Sequence, residues 1–163
     1  MNDQDQIPAA PVVVPAFDFP TYLAQQAEYE TRAAALRPAN KMALFDALTA
    51  AGVSHVTVTF DGEGDSGQIE SVEAWNGDVA AKLPLTEITI TSVAWHSSEA
   101  ATLTMNIKDA IEQMAYDFLS DTHGGWENND GAFGEFCFDA IARTIQLDYN
   151  ERIMNYEPYG HEF

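Results

Sequence analysis

Along this chain, apolar and polar residues alternate with a period of two in several short stretches. In one long stretch they recur instead every three to four residues. From Val53 to Phe60, Val56, Val58 and Phe60 fall on one side, with His55, Thr57 and Thr59 on the other, which predicts a half-buried strand. Gln68–Trp75 and Leu85–Trp95 (LTEITITSVAW) read as two more strands, and Trp75–Pro84 is open between loop and strand extension. Ile107 to Ser120 changes period: Ile107, Ile111, Met114 and Phe118 share a helical face with Ala110, Ala115 and Leu119, behind a cap at Asn106. Gly134–Asp139 and Arg143–Tyr149 then alternate again around a turn at Ala140–Ala142. This hairpin places Phe136, Phe138, Ile145, Leu147 and Tyr149 inward, and Glu135, Cys137, Gln146 and Asp148 outward.

The N-terminal part reads as helix. A first helix is expected from about Pro20 to Leu36, capped by Asp18 or Thr21. It should end at Arg37–Pro38, because the residue before proline avoids the α region. A second helix should start at Asn40 and close at Gly52, burying Met42, Leu44, Phe45, Leu48 and Thr49. Residues 1–16, with three prolines and no period, predict an extended or disordered arm ahead of a single domain spanning 17–163. The aromatic-rich tail after Asn150 is expected to pack back. The fold class that follows is α+β: two N-terminal helices, a mainly antiparallel sheet of about five strands, and one long helix (about 107–120) packed across it.

Composition narrows the function classes. The chain of 163 residues is long enough for a core without staples, and 46% apolar residues support a folded protein. Against 7 Lys plus Arg stand 26 Asp plus Glu, a formal charge of −19, so direct binding of nucleic acid or of an anionic membrane is not expected. The acids are scattered, so they describe a folded acidic surface rather than a tail. Three accounts of such a surface stand open: it serves solubility alone, it attracts cations or a basic protein, or it imitates the phosphate array of a nucleic acid and draws in a DNA-binding protein. The single cysteine, Cys137, forbids an intrachain disulfide, and no run approaches the ~20 apolar residues of a membrane span. A cytoplasmic location is expected.

Candidate chemistry concentrates in two glycine-rich stretches. Phe60–Glu70 (FDGEGDSGQIE) carries Asp61, Glu63, Asp65 and Glu70. His123–Asp139 (HGGWENNDGAFGEFCFD) carries His123, Trp126, Glu127, Asn128, Asn129, Asp130 and Glu135. If the strand before the first loop (53–60) and the strand after the second (134–139) pair antiparallel, both loops meet at one edge and form one binding site. Carboxylates in a glycine-rich loop can converge on a hard cation, so Asp61, Glu63, Asp65 and Asp130 are the metal candidates, although Ser66 and Val72 at the sixth and twelfth positions break the EF-hand pattern. The competing account is a solvated hairpin loop, with Asn128 and Asn129 shaping turns. His123, Glu127 and Asp130 are the candidates for acid–base work, against a helix-end role for the histidine. No zinc-hydrolase, thiol-redox, esterase or phosphate-loop pattern is present, and Cys137 between two phenylalanines reads as structural.

The paired motifs DGxGDxGxI and GWENNDGxxGEFxFD, followed by IQLDYNERI, resemble an uncharacterised bacterial domain family associated with proteobacterial genomes and plasmids, over about residues 40–163. The resemblance carries no activity with it. It implies a domain of unknown function from mobile elements, a setting in which small acidic proteins include inhibitors of host defences. Three readings follow: an acidic, non-enzymatic protein engaging a basic partner, as a nucleic-acid mimic or an inhibitor; a metal-dependent or acid–base enzyme with a divalent cation; and a structural subunit docking through the Trp126 loop.

Overall fold

A computed structural model describes residues 15–97 and 99–163; the arm expected over residues 1–16 falls almost wholly outside them. The element order is α1 (Phe19–Ala50), β1 (His55–Glu63), β2 (Ser66–Asn76), β3 (Val79–Ala81), β4 (Glu87–Val93), β5 (Ala100–Asn106), α2 (Ile107–Thr122), β6 (Ala132–Asp139) and β7 (Thr144–Glu151). Five strands form an antiparallel sheet in the order β3-β2-β1-β6-β7, and β4 and β5 form a separate pair. The class is α+β, as expected, with the strand at 85–95 in the smaller sheet and paired to a strand, β5, that the reading of the sequence missed. β5 (AATLTMN) has weak alternation and little burial, so its pairing with β4 is what makes it a strand.

The two expected N-terminal helices are one. α1 runs for 32 residues straight through Pro38. An interior proline leaves the carbonyl of Ala34 without its usual donor and costs ~3 kcal/mol. Tertiary anchors on both sides hold the helix through it. Arg32 donates to the Ser97 carbonyl, and Arg37 pairs with Asp121 and lies over the Phe118 ring. Beyond the proline, Leu44, Phe45 and Leu48 are buried, whereas Met42 and Thr49 stay exposed. Asn40 is not a cap. Its side-chain amide donates to the Thr91 carbonyl at 2.8 Å and accepts from the Thr91 N–H at 2.9 Å, fastening α1 along β4.

α2 forms where the periodicity puts it, with Asn106 Oδ1 accepting from the Asp109 N–H at 2.8 Å. Its buried face of Ile107, Ala110, Ile111, Met114, Ala115 and Leu119 meets Val56, Val58, Phe136 and Phe138 of the large sheet in one core, which α1 joins through Leu44, Phe45 and Leu48. Both helices therefore lie on one side of that sheet. The β6–β7 hairpin keeps the expected facing, with Asp139 Oδ1 holding its turn by accepting from the N–H groups of Ile141 and Ala142. The tail packs back only through Arg152; beyond it, Ile153, Tyr156, Tyr159 and Phe163 are all exposed. Among the described residues, no helix is long and apolar enough to cross a membrane.

A continuous α1 predicts that Pro38→Ala stabilises the protein by about 1–3 kcal/mol, since it restores a helical hydrogen bond without changing the path of the chain. Thermal and urea unfolding followed by circular dichroism measure this. A variant no more stable than the parent would mean that the helix breaks at residue 38.

Candidate functional site

The first acidic stretch is less loop than strand. Asp61, Gly62 and Glu63 pair with Gln68, Gly67 and Ser66, so β1 and β2 run to a two-residue turn at Gly64–Asp65. Both turn residues have positive φ (59° and 66°), as the tight hairpin turn whose twist matches the strands requires. Between Thr59 and Phe60 the partner register jumps from Ser71 to Ile69, which leaves Glu70 unpaired in a bulge. The bulge lets Ile69 turn towards the core although Ser71 faces the other way.

β1 and β6 pair antiparallel with Gly62 opposite Ala132, so the hairpin tip and the 123–131 loop meet at one end of the sheet. The Gly64 N–H donates to the Asn129 carbonyl at 2.9 Å and the Asp65 N–H to the Glu127 carbonyl at 3.0 Å. Asp65 Oδ1 accepts from the Asn129 N–H at 3.4 Å. The hydrogen bonds between the two motifs thus run mainly through backbone groups.

Trp126 is turned inward. Only 8% of it is accessible, and its indole lies over Gly62 and Gly67 with the Phe60 ring edge-on at a centroid distance of 5.4 Å. A Cβ on Gly62 would stand 2.6 Å from the indole, and one on Gly67 would stand 2.4 Å from it. Gly62 and Gly67 therefore serve close approach of an aromatic ring, while Gly64 serves the turn, and the indole that docking through this loop would require closes the core instead.

Arg152 clamps the opposite face of the same strand ends. Its guanidinium donates to both oxygens of Asp61 at 2.9 and 3.1 Å and to the Gly62 carbonyl at 3.0 Å, and it lies 4.8 Å above the Phe133 ring. Its N–H reaches the Gly131 carbonyl at 3.0 Å. Sequence reasoning passed over Arg152; the signal was its rarity, one of only 7 basic residues.

The carboxylates proposed for a cation do not converge. Asp61 belongs to Arg152 and Asp65 faces Asn129, while Glu63 is exposed. Among the described residues, no group of three or more His, Cys, Asp or Glu side chains is placed to hold a metal. His123 caps α2 and its ring lies flat on Tyr149, 3.6 Å between centroids and 5° between planes. Desolvation first, then the carboxylates of Glu151 and Glu127, pushes the Tyr149 phenol above its ordinary range. A shallow depression of about 500 Å³ lies here, lined by His123, Asn128, Asn129, Asp130, Tyr149 and Arg152 among others, with Glu127 outside it. Among the described residues, no carboxylate hydrogen-bonds the His123 ring, so the orienting partner of an acid–base histidine is not in place.

Glu135 stands apart from the loops, on the sheet face that neither helix covers. That face carries Glu73 and Trp75 on β2, His55, Thr57 and Thr59 on β1, Phe133, Glu135, Cys137 and Asp139 on β6, and Gln146 and Asp148 on β7, with Arg152 at the Phe133 end. Glu135 and Asp148 are direct cross-strand partners. Desolvation, followed by the charges of Asp139 and Glu135, raises the Cys137 thiol above its ordinary range.

Trp126→Ala is expected to cost about 3–5 kcal/mol, the range for emptying a buried aromatic site. Gly67→Ala should cost about 1–3 kcal/mol by pushing against the indole. Urea denaturation measures both, and a Trp126→Ala protein as stable as the parent would contradict the inward placement. Cys137 should alkylate only at a higher pH than a free thiol. Glu135→Gln should move that profile to lower pH, because removing a neighbouring negative charge eases formation of the thiolate; rates with iodoacetamide across pH test the sign.

No curated protein and no solved structure matches the chain. A family model does match, over residues 36–163, which takes in both glycine-rich motifs, the Trp126 closure and Arg152. The chain belongs to that family, described as a family of unknown function (DUF6878).

Proposed function

We propose that this protein is an acidic interaction module that engages a basic partner through the uncovered face of its five-stranded sheet, and that it is not an enzyme. The observation that carries this reading is the Glu135–Asp148 pair, two carboxylates set directly opposite each other on neighbouring strands. Like charges in that position destabilise a sheet, so the fold bears a cost that a cationic partner would relieve. Glu73 carries the negative charge to β2, and Asp139, one of whose oxygens holds the β6–β7 turn, carries it along β6. Alternate residues on a strand lie about 6.8 Å apart and strands about 4.8 Å apart, which gives a regular array of carboxylates and hydroxyls on a rigid surface. A lysine- or arginine-rich surface shaped for phosphates would meet that array with complementary charge. On this reading the partner would be a DNA-binding or host-defence protein held off its nucleic acid, in keeping with the resemblance of the two motifs to a plasmid-associated family.

The test pairs charge reversal with salt. Capture of basic proteins by the immobilised chain should fall steeply as salt rises, because screening shortens to ~10 Å at 0.1 M. Glu135→Lys with Asp148→Lys should weaken capture about tenfold or more without loss of fold. Partner binding should also shield Cys137, in the middle of the face, from alkylation. Capture that ignores both salt and the double reversal would overturn the proposal.

A further inference from the structure

The β4–β5 pair has two outer edges, and they are treated differently. Along β4, Asn40 of α1 occupies the backbone of Thr91 with both halves of its amide. Along β5, among the described residues, no backbone hydrogen bond reaches the outer edge. An open edge is a template for another strand, and folded proteins usually guard it with charge, proline or brevity. The large sheet follows that rule: β7 carries Asp148 and Glu151, and β3 is 3 residues long. β5 does not. Its 7 residues, AATLTMN, include neither a charge nor a proline, in a chain whose formal charge is −19.

The side chains of β5 point the same way. Leu103 pairs with Ile90, and Met105 with buried Ile88, so Leu103 lies on the face that continues the core; yet it is 58% exposed. The apolar layer runs past the point where this chain covers it.

We propose that β5 is a homodimerisation edge, joining antiparallel to β5 of a second copy to make a four-stranded sheet in the order β4-β5-β5-β4. The occupant is argued from charge and from self-matching. Two chains this acidic meet at the least electrostatic cost where neither strand presents a carboxylate, and β5 is such a strand. With the two-fold axis at Leu103, Leu103 faces itself, Thr102 faces Thr104, Ala101 faces Met105 and Ala100 faces Asn106. This pairs hydroxyl with hydroxyl and small with large, and it closes as a symmetric dimer. The same axis directs Glu99, at the start of one strand, towards the end of the other strand that leads to Lys108. This contact is separate from the acidic sheet face and does not depend on the reading given for it.

Analytical ultracentrifugation of the full chain over a concentration series should show a species of twice the 17.9 kDa monomer mass. Raising salt should strengthen it, because the bodies of the two copies repel, whereas capture of a basic partner weakens with salt. Leu103→Lys sets two like charges on the axis and should weaken the dimer at least about a hundredfold. Leu103→Glu should do the same, and mixing the two variants should restore a dimer. Circular dichroism and the thermal midpoint confirm that each variant is folded, which the exposure of Leu103 favours. Glu135→Lys with Asp148→Lys should leave the dimer intact. A chain that is monomeric throughout the series, a dimer that survives Leu103→Lys, or a mixture that fails to reassociate would each overturn the proposal.

Discussion

The indole of Trp126 resting on two glycines is the contact on which the rest of the sheet end depends. Gly62 and Gly67 face each other across the β1–β2 hairpin, and the absence of side chains there makes a flat floor on which the ring can lie. The ring carries the 123–131 loop with it, so that carbonyls of Glu127 and Asn129 come within reach of the hairpin tip. Two stretches about sixty residues apart in sequence thereby become one structural unit. On the far side of the same strands, Arg152 draws Asp61, Gly62, Gly131 and Phe133 together. Indole and guanidinium hold the strand ends from opposite faces.

That arrangement changes what the acidic motif is for. Carboxylates interleaved with glycines suggest a flexible loop folding around a cation. Here the glycines make room for an aromatic ring and form the turn, and Asp61 and Asp65 are taken up by Arg152 and by a backbone N–H. Among the acids with no such internal use, Glu73, Glu135 and Asp148 lie on the open face of the sheet. Surface rather than cavity is where the charge of this protein is spent. The depression beside His123 is shallow, and its histidine is stacked on Tyr149 rather than aimed by an acid.

The long helix shows the same dominance of distant contacts over local preference. Proline at position 38 argues for a break, and Asn40 is a good capping residue. Arg32, Arg37 and Asn40 nevertheless bind groups on other elements, before and after the proline, and together these contacts keep one axis where local propensity favours two.

What the sequence determined alone is the set of faces. The alternation of Val56, Val58 and Phe60, and of Phe136 and Phe138, decides which side of each strand is buried, because successive side chains on a strand must point to opposite sides. The spacing of Ile107, Ile111 and Met114 likewise decides which side of α2 is buried. The antiparallel meeting of the two motifs could be anticipated as one of two outcomes. Only the tertiary structure decided the remainder. It made a strand of β5 by giving it β4 as a neighbour, carried α1 through Pro38, turned Trp126 inward and placed Arg152 against Asp61. Each of these rests on groups far apart in the chain, whose meeting depends on topology and packing, and no local pattern of residues encodes it.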